Sequence, residues 1–217
     1  MIVSIARRAQ IPMRTLTSLV VGLATALTLS ACQKPASAVT ADDMSLGNPK
    51  APVTVIEYAS LSCPHCADWN DNVFPEFKAK YIDTGKVHYA AREALTSDPA
   101  VAAGGFLTAR CAGRDKYFQV TEAVYRAQPQ MVTGQPHDIL LNIARSVGMT
   151  DAQFEACVGN EAAQKALNAR WEHAMRDDHI NSTPTFIING KRYEGEMPMP
   201  KMDQAIAEAA KRGPSAS

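Results

Sequence analysis

Val53-Thr54-Val55-Ile56-Glu57-Tyr58-Ala59-Ser60-Leu61-Ser62-Cys63-Pro64-His65-Cys66 is the stretch that decides the fold. Its first six residues are β-branched or aromatic apart from Glu57, which is the composition of a strand over 52–59. Pro64 then opens a helix, because a proline at the first helical position lacks only an N–H that would be unpaired anyway. A strand feeding directly into a helix places Cys63 at the helix N-terminus. There the partial positive charge of the helix favours a thiolate over a thiol. With Pro64 and His65 between them, Cys63 and Cys66 can close a small disulfide and open it again.

Outward from this stretch, the periodicities alternate between strand and helix. Trp69, Val73, Phe77 and Tyr81 recur at helical spacing and face a core. Pro75 lies inside that pattern and predicts a kink or break near 72–74. Gly85 ends the element, and residues 86–92 read as a second strand. Residues 99–179 are helical in pattern. Within them Ile139, Leu140, Ile143 and Val147 form an apolar stripe closed by Gly148. Thr150-Asp151-Ala152-Gln153 then matches a capping box, with Phe154, Cys157 and Val158 on the buried face behind it. Residues 186–188 form a third strand, Asn189-Gly190 a tight hairpin turn, and Lys191-Arg192-Tyr193 the return. Pro200 opens a last helix with Met202, Ala205, Ile206 and Ala209 inward. The fold class is α/β. The first two strands run parallel through a crossover helix, the last two form an antiparallel hairpin, and a helical domain at about 97–179 is inserted between the second and third strands.

The N-terminus sets the compartment. Arg7, Arg8 and Arg14 precede an uncharged segment, 15–31, rich in Leu and Val. This is an export signal. It ends in Leu29-Ser30-Ala31-Cys32, the bacterial lipoprotein signal pattern, in which the cysteine is lipidated and becomes the first mature residue. Residues 1–31 are thus read as signal peptide. Residues 32–46, rich in Ala, Ser, Thr and Pro, are read as a flexible tether, and 47–217 as the folded domain. Several acyl chains at Cys32 would hold the protein on a bilayer, inner or outer, facing the periplasm. That compartment is oxidising. With Cys32 set aside, Cys63, Cys66, Cys111 and Cys157 remain, the even number that two disulfides give. Cys111 and Cys157 are either two buried free thiols or a structural disulfide pinning two helices of the insertion, and the compartment favours the disulfide.

Of 217 residues, 22 are basic and 22 acidic, and three of the basic ones precede Cys32, which leaves a mature net charge of −3. There is no basic cluster, so nucleic acid is not an expected partner. No P-loop, dinucleotide fingerprint or internal repeat is present, and no cofactor is expected. Cys63 and Cys66 could in principle be a permanent disulfide or half of a zinc site. Zinc needs about four ligands, and no second Cys or His pair lies near in sequence. Haem attachment would need histidine where Ala67 stands. His88, His137, His173 and His179 show no ligand spacing and read as surface residues. Trp69 and Trp171 read as packing.

Three blocks taken in order carry a resemblance: residues 47–57, Cys63-Pro64-His65-Cys66, and Ser182-Thr183-Pro184-Thr185-Phe186-Ile187-Ile188-Asn189-Gly190. Over about 47–210 the chain resembles the DsbA-type thiol–disulfide oxidoreductases, which have a thioredoxin fold carrying a helical insertion. The resemblance implies that Cys63 is the exposed attacking thiol and Cys66 the buried partner that resolves the mixed disulfide. Pro64 and His65 make up the DsbA dipeptide, and His65 would stabilise the Cys63 thiolate. Glu57 matches a buried acid that moves protons near Cys66. Thr183-Pro184 would be a cis peptide whose backbone pairs with an extended substrate. The implied partners are exported proteins with reduced or wrongly paired cysteines and a membrane redox protein that restores the enzyme, itself a monomer. One departure stands out. The strong oxidases often carry valine before the cis proline, and Thr183 resembles the isomerase branch instead. An isomerase or reductase kept reduced by a membrane donor is therefore the alternative within the class. A lipoprotein that binds soft Cu(I) through Cys63 and Cys66 is the alternative outside it.

Overall fold

The structure is a computed structural model, and it describes residues 38–213. The signal peptide, Cys32 and the first part of the tether lie outside the described residues. In chain order the elements are β1 (Met44–Gly47), β2 (Val53–Ala59), α1 (Pro64–Asn72), α2 (Phe74–Phe77), β3 (Val87–Glu93), α3 (Pro99–Cys111), α4 (Tyr117–Thr133), α5 (Pro136–Ser146), α6 (Asp151–Val158), α7 (Glu161–Arg176), β4 (Thr185–Ile188), β5 (Lys191–Glu194) and α8 (Met199–Arg212). A π-helical turn, Lys78–Ile82, continues α2.

The strands form one sheet in the order β1-β3-β2-β4-β5. β2 and β3 are parallel, and every other neighbouring pair is antiparallel. β2 lies at the centre and is covered on both faces, which is why its apolar run is nearly continuous. Val53 and Val55 pack with Trp69, Phe77, Phe186 and Met202 on one face. Ile56 and Tyr58 pack with Ala174, Ile180 and Ile187 on the other, joined by the half-buried Trp171. The helical insertion, α3 to α7, builds its own cluster around Phe106, Val120, Val124 and Phe154, and that cluster includes Leu61, Cys63 and Cys66. The cysteine motif therefore sits where the sheet domain meets the insertion.

Local signals act where the sequence places them. The chain breaks at Val73, between α1 and α2, with Pro75 at the start of α2. The Thr150–Gln153 capping box is complete on both sides. Asn189 and Gly190 both adopt positive φ, 42° and 80°, and turn β4 into β5.

Two expectations are corrected. Residues 44–46 are not tether. With Gly47 they form β1, the edge strand, in register from Met44 opposite Ala91 to Gly47 opposite His88. Gly47 has φ +87°, and a side chain there would collide with the Val87 carbonyl. His88 is not a surface residue. It is buried in β3 between Gly47 and Thr54 on the flanking strands, and that burial lowers its pKa.

Candidate active site

Cys63 is the N-cap residue of α1, with extended backbone angles (φ −87°, ψ 119°) and Pro64 immediately inside the helix. Its amide bonds back to the Ser60 carbonyl at 3.1 Å, and its carbonyl accepts from Ala67 at 3.1 Å. The strand-to-helix junction thus holds the thiol at the positive end of a nine-residue helix. Cys66, one turn further in, is completely buried, and Cys63 is itself buried at 4% exposed, so it is not the exposed thiol that the resemblance implied. Both are free thiols here.

The environments of the two sulfurs push their pKa values apart. The Cys63 thiol is lowered to about 5, chiefly by the hydrogen bond it shares with the Cys66 thiol, against the opposing cost of burial. Thr183 and the backbone N–H groups of Cys66 and His65 lower it further. Burial drives Cys66 well above the usual thiol range, and the negative charges of Cys63 and Glu57 add to this.

Across from the motif, Thr183–Pro184 is a cis peptide. The Thr183 carbonyl accepts from the protonated Cys63 Sγ at 3.4 Å. Thr183 Oγ1 lies 2.7 Å from Thr96 Oγ1. Glu57 is buried on the face of β2 that carries Val53 and Val55 and accepts from the Tyr89 hydroxyl at 2.5 Å. Desolvation raises the Glu57 carboxyl to about 8. A cavity of about 230 Å³, lined by Glu57, Tyr89, Asn70, Lys78 and Glu122, opens beside it. His65 is exposed and pairs with Glu196 at 2.5 Å. Glu196 is the main reason its pKa is raised, and the Cys63 charge contributes as well. Away from the site, Cys111 and Cys157 are disulfide-bonded, with Cα atoms 6.2 Å apart, and join the end of α3 to α6. Among the described residues, no three His, Cys, Asp or Glu side chains gather as a metal site. Nor is any helix among them long and apolar enough to cross a membrane.

The chain has counterparts among known proteins. Residues 39–208 match the sequence profile of the family described as Thioredoxin. The chain belongs to the thioredoxin family. Within it, the chain is of the DsbA type. It is 26% identical to alpha-DsbA1 of Wolbachia pipientis, whose crystal structure superposes with a TM-score of 0.74 over 80% of this chain and 94% of that one. BdbD of Bacillus subtilis, at 20% identity, shares the fold, with a TM-score of 0.70 over 78% of this chain and 93% of that one. Among curated proteins, one from Rickettsia bellii named "Putative protein-disulfide oxidoreductase" is 30% identical over 173 residues, covering 77% of this chain and 66% of its own length. A counterpart from Rickettsia conorii is 32% identical over 151 residues, covering 69% of this chain and 54% of its own. The chain thus spans between about half and two thirds of the length of these curated relatives.

Several residues that shape the site of this thioredoxin-family domain escape sequence reasoning. Gln128, in α4, donates to the carbonyls of Leu61 (2.8 Å) and Cys63 (3.2 Å). Ser62 donates to the carbonyls of Thr96 (2.7 Å) and Asp98 (2.9 Å), so the Cys63 loop is tied to the start of the insertion as well. Glu196 comes from the loop between β5 and α8. Each of these contacts spans 34 or more residues of sequence and carries no local motif.

Proposed function

We propose that this protein is a thiol–disulfide oxidoreductase that oxidises cysteine pairs in exported proteins through a Cys63–Cys66 disulfide. The supporting observation is the asymmetry of the pair. A thiol lowered to about 5 caps a helix, and its partner is buried and held protonated. A substrate thiolate attacks Cys63 Sγ of the oxidised pair, and the Cys63–Cys66 bond breaks. Cys66 leaves with the electron pair and takes up a proton, for which Glu57 is the nearby buried acid, with a cavity beside it for exchange with solvent. A second substrate thiolate attacks the substrate sulfur of the mixed disulfide and expels Cys63 as its stabilised thiolate. The substrate loses two electrons and the enzyme gains them. Stabilising the Cys63 thiolate favours the reduced enzyme, so the disulfide is a strong oxidant. The extended substrate segment pairs with the backbone at Thr183, beside cis-Pro184. No bound cofactor enters this chemistry.

In this reading the signal ends before Cys32, which is lipidated and anchors a monomeric, periplasm-facing domain. A membrane redox protein reoxidises the reduced pair. Thr183 favours a second reading within the same chemistry, an isomerase or reductase kept reduced by a membrane donor. The test of the exchange reading is to mix the oxidised protein with a reduced two-cysteine peptide. Peptide thiols should disappear as protein thiols appear. Cys63→Ser should abolish the reaction. Persistence of the reaction in that variant would refute the assignment.

A further inference from the structure

Glu196 is set in place from both sides. The amide of Gly195 donates to the Pro184 carbonyl at 2.9 Å. The Trp69 indole, in α1, donates to the Met197 carbonyl at 2.9 Å, and the Met197 side chain is fully buried. The short loop that carries Glu196 is therefore tied to the cis proline at one end and to the cysteine-bearing helix at the other. Its carboxylate meets His65 Nδ1 at 2.5 Å, although the two side chains are 48% and 71% exposed. An exposed ion pair contributes little to stability, so this contact has to be weighed for what it does to the ring.

We propose that Glu196 is a positioning residue of the Cys63–Cys66 site: it orients the His65 ring through Nδ1 and serves as its counter-ion. The proposal rests on the exchange reading above and concerns how the site responds to pH. With Nδ1 donating to Glu196, only Nε2 is left to face a sulfur or a substrate. The charges acting on His65 are Glu196 from the β5–α8 loop, the Cys63 thiolate at the head of α1, and Asp68 within α1. All three favour the protonated ring, with Glu196 the largest. The ring stays cationic at pH values where a free histidine is neutral. Its charge is at the same time offset by the carboxylate, so its pull on the Cys63 thiolate is moderate and nearly constant with pH. Removing the carboxylate's charge should make that pull stronger in acid, where the cation stands alone, and weaker above neutrality, where the cation is lost.

The test is a histidine-labelled NMR titration of the reduced full chain in detergent, wild type against Glu196→Gln, with His65 assigned by a His65→Gln control. The thiolate absorbance of Cys63 is followed in the same samples. The His65 midpoint should fall in Glu196→Gln and be largely restored in Glu196→Asp. Cys63 reactivity towards an alkylating agent, plotted against pH, should be steeper in Glu196→Gln and cross the wild-type curve. A His65 midpoint that is the same in wild type and Glu196→Gln overturns the proposal. A general structural role for Glu196 would not move that midpoint. The exchange reading is judged separately, on whether wild-type Cys63 titrates well below an ordinary thiol.

Discussion

The Tyr89 hydroxyl donates to Glu57 Oε2 at 2.5 Å, entirely inside the protein. It satisfies one oxygen of a carboxyl that would otherwise be buried without a partner. It does not undo the cost of burial, because the Glu57 carboxyl still gives up its proton only at about 8.

That offset makes the domain's stability fall with rising pH. Glu57 titrates at its ordinary value of 4.5 in the unfolded chain and at about 8 in the folded one. Between those values the folded state binds more protons, so stability declines as pH rises through the window. In the reduced protein Cys63 acts oppositely, since its pKa is lowered on folding and its contribution grows as pH rises from about 5 towards 9. The clean measurement is therefore on the oxidised protein. Urea unfolding should show wild type losing stability between about pH 5 and about pH 8 and levelling off above, while Glu57→Gln changes little and is the more stable of the two at the upper end, by a few kcal/mol. Equal slopes for the two proteins would contradict a buried, proton-holding Glu57.

Glu93, at the end of β3, is another buried acid, and it is held differently. Arg110 and Arg170 both pair with it, and the Tyr117 hydroxyl approaches at 3.4 Å. Its side chain is 1% exposed. Glu93→Ala leaves two arginines facing a hole, and breaking a buried ion pair from one side costs about 3–5 kcal/mol. Chemical denaturation should show a loss of that order. A loss below about 1 kcal/mol, the scale of a surface pair, would mean that solvent reaches the cluster.

The Cys111–Cys157 disulfide closes a loop between positions 46 residues apart. In the chain-entropy model a loop of that length stabilises the fold by roughly 4 kcal/mol. The double variant Cys111→Ala/Cys157→Ala should lose about 2–4 kcal/mol in urea. Its peptide oxidation by Cys63–Cys66 should remain, because the bridge lies in the insertion and contributes no atom to the exchange. Loss of oxidation in a folded double variant would tie the bridge to the site.

Signals written within a few residues were legible in the sequence. The strand ahead of Cys63, the proline behind it, the break near Pro75, the capping box at Thr150 and the Asn189-Gly190 turn each depend on neighbouring residues. β1 was not legible. Met44–Gly47 is four residues long, follows a linker-like composition, and is a strand only because β3 offers an edge more than 40 residues later. His88, Glu93 and Glu196 were missed for the same reason. Polar residues read as surface until distant elements cover or pair them, and the partner of Glu196 lies 131 positions away. The cysteine motif, the strand ahead of it and the insertion were visible, but the long-range contacts that Gln128, Thr96 and Glu196 bring to the site were not.

The central claim is that Cys63 and Cys66 form a disulfide that gives itself up readily. The most direct test is the equilibrium reduction potential of that pair, measured in glutathione buffers with the second disulfide intact. A Cys63 thiolate stabilised down to about pH 5 predicts an oxidising couple, less negative than about −180 mV. A value near about −270 mV, as in a reducing thioredoxin, would contradict it and make the protein a reductant.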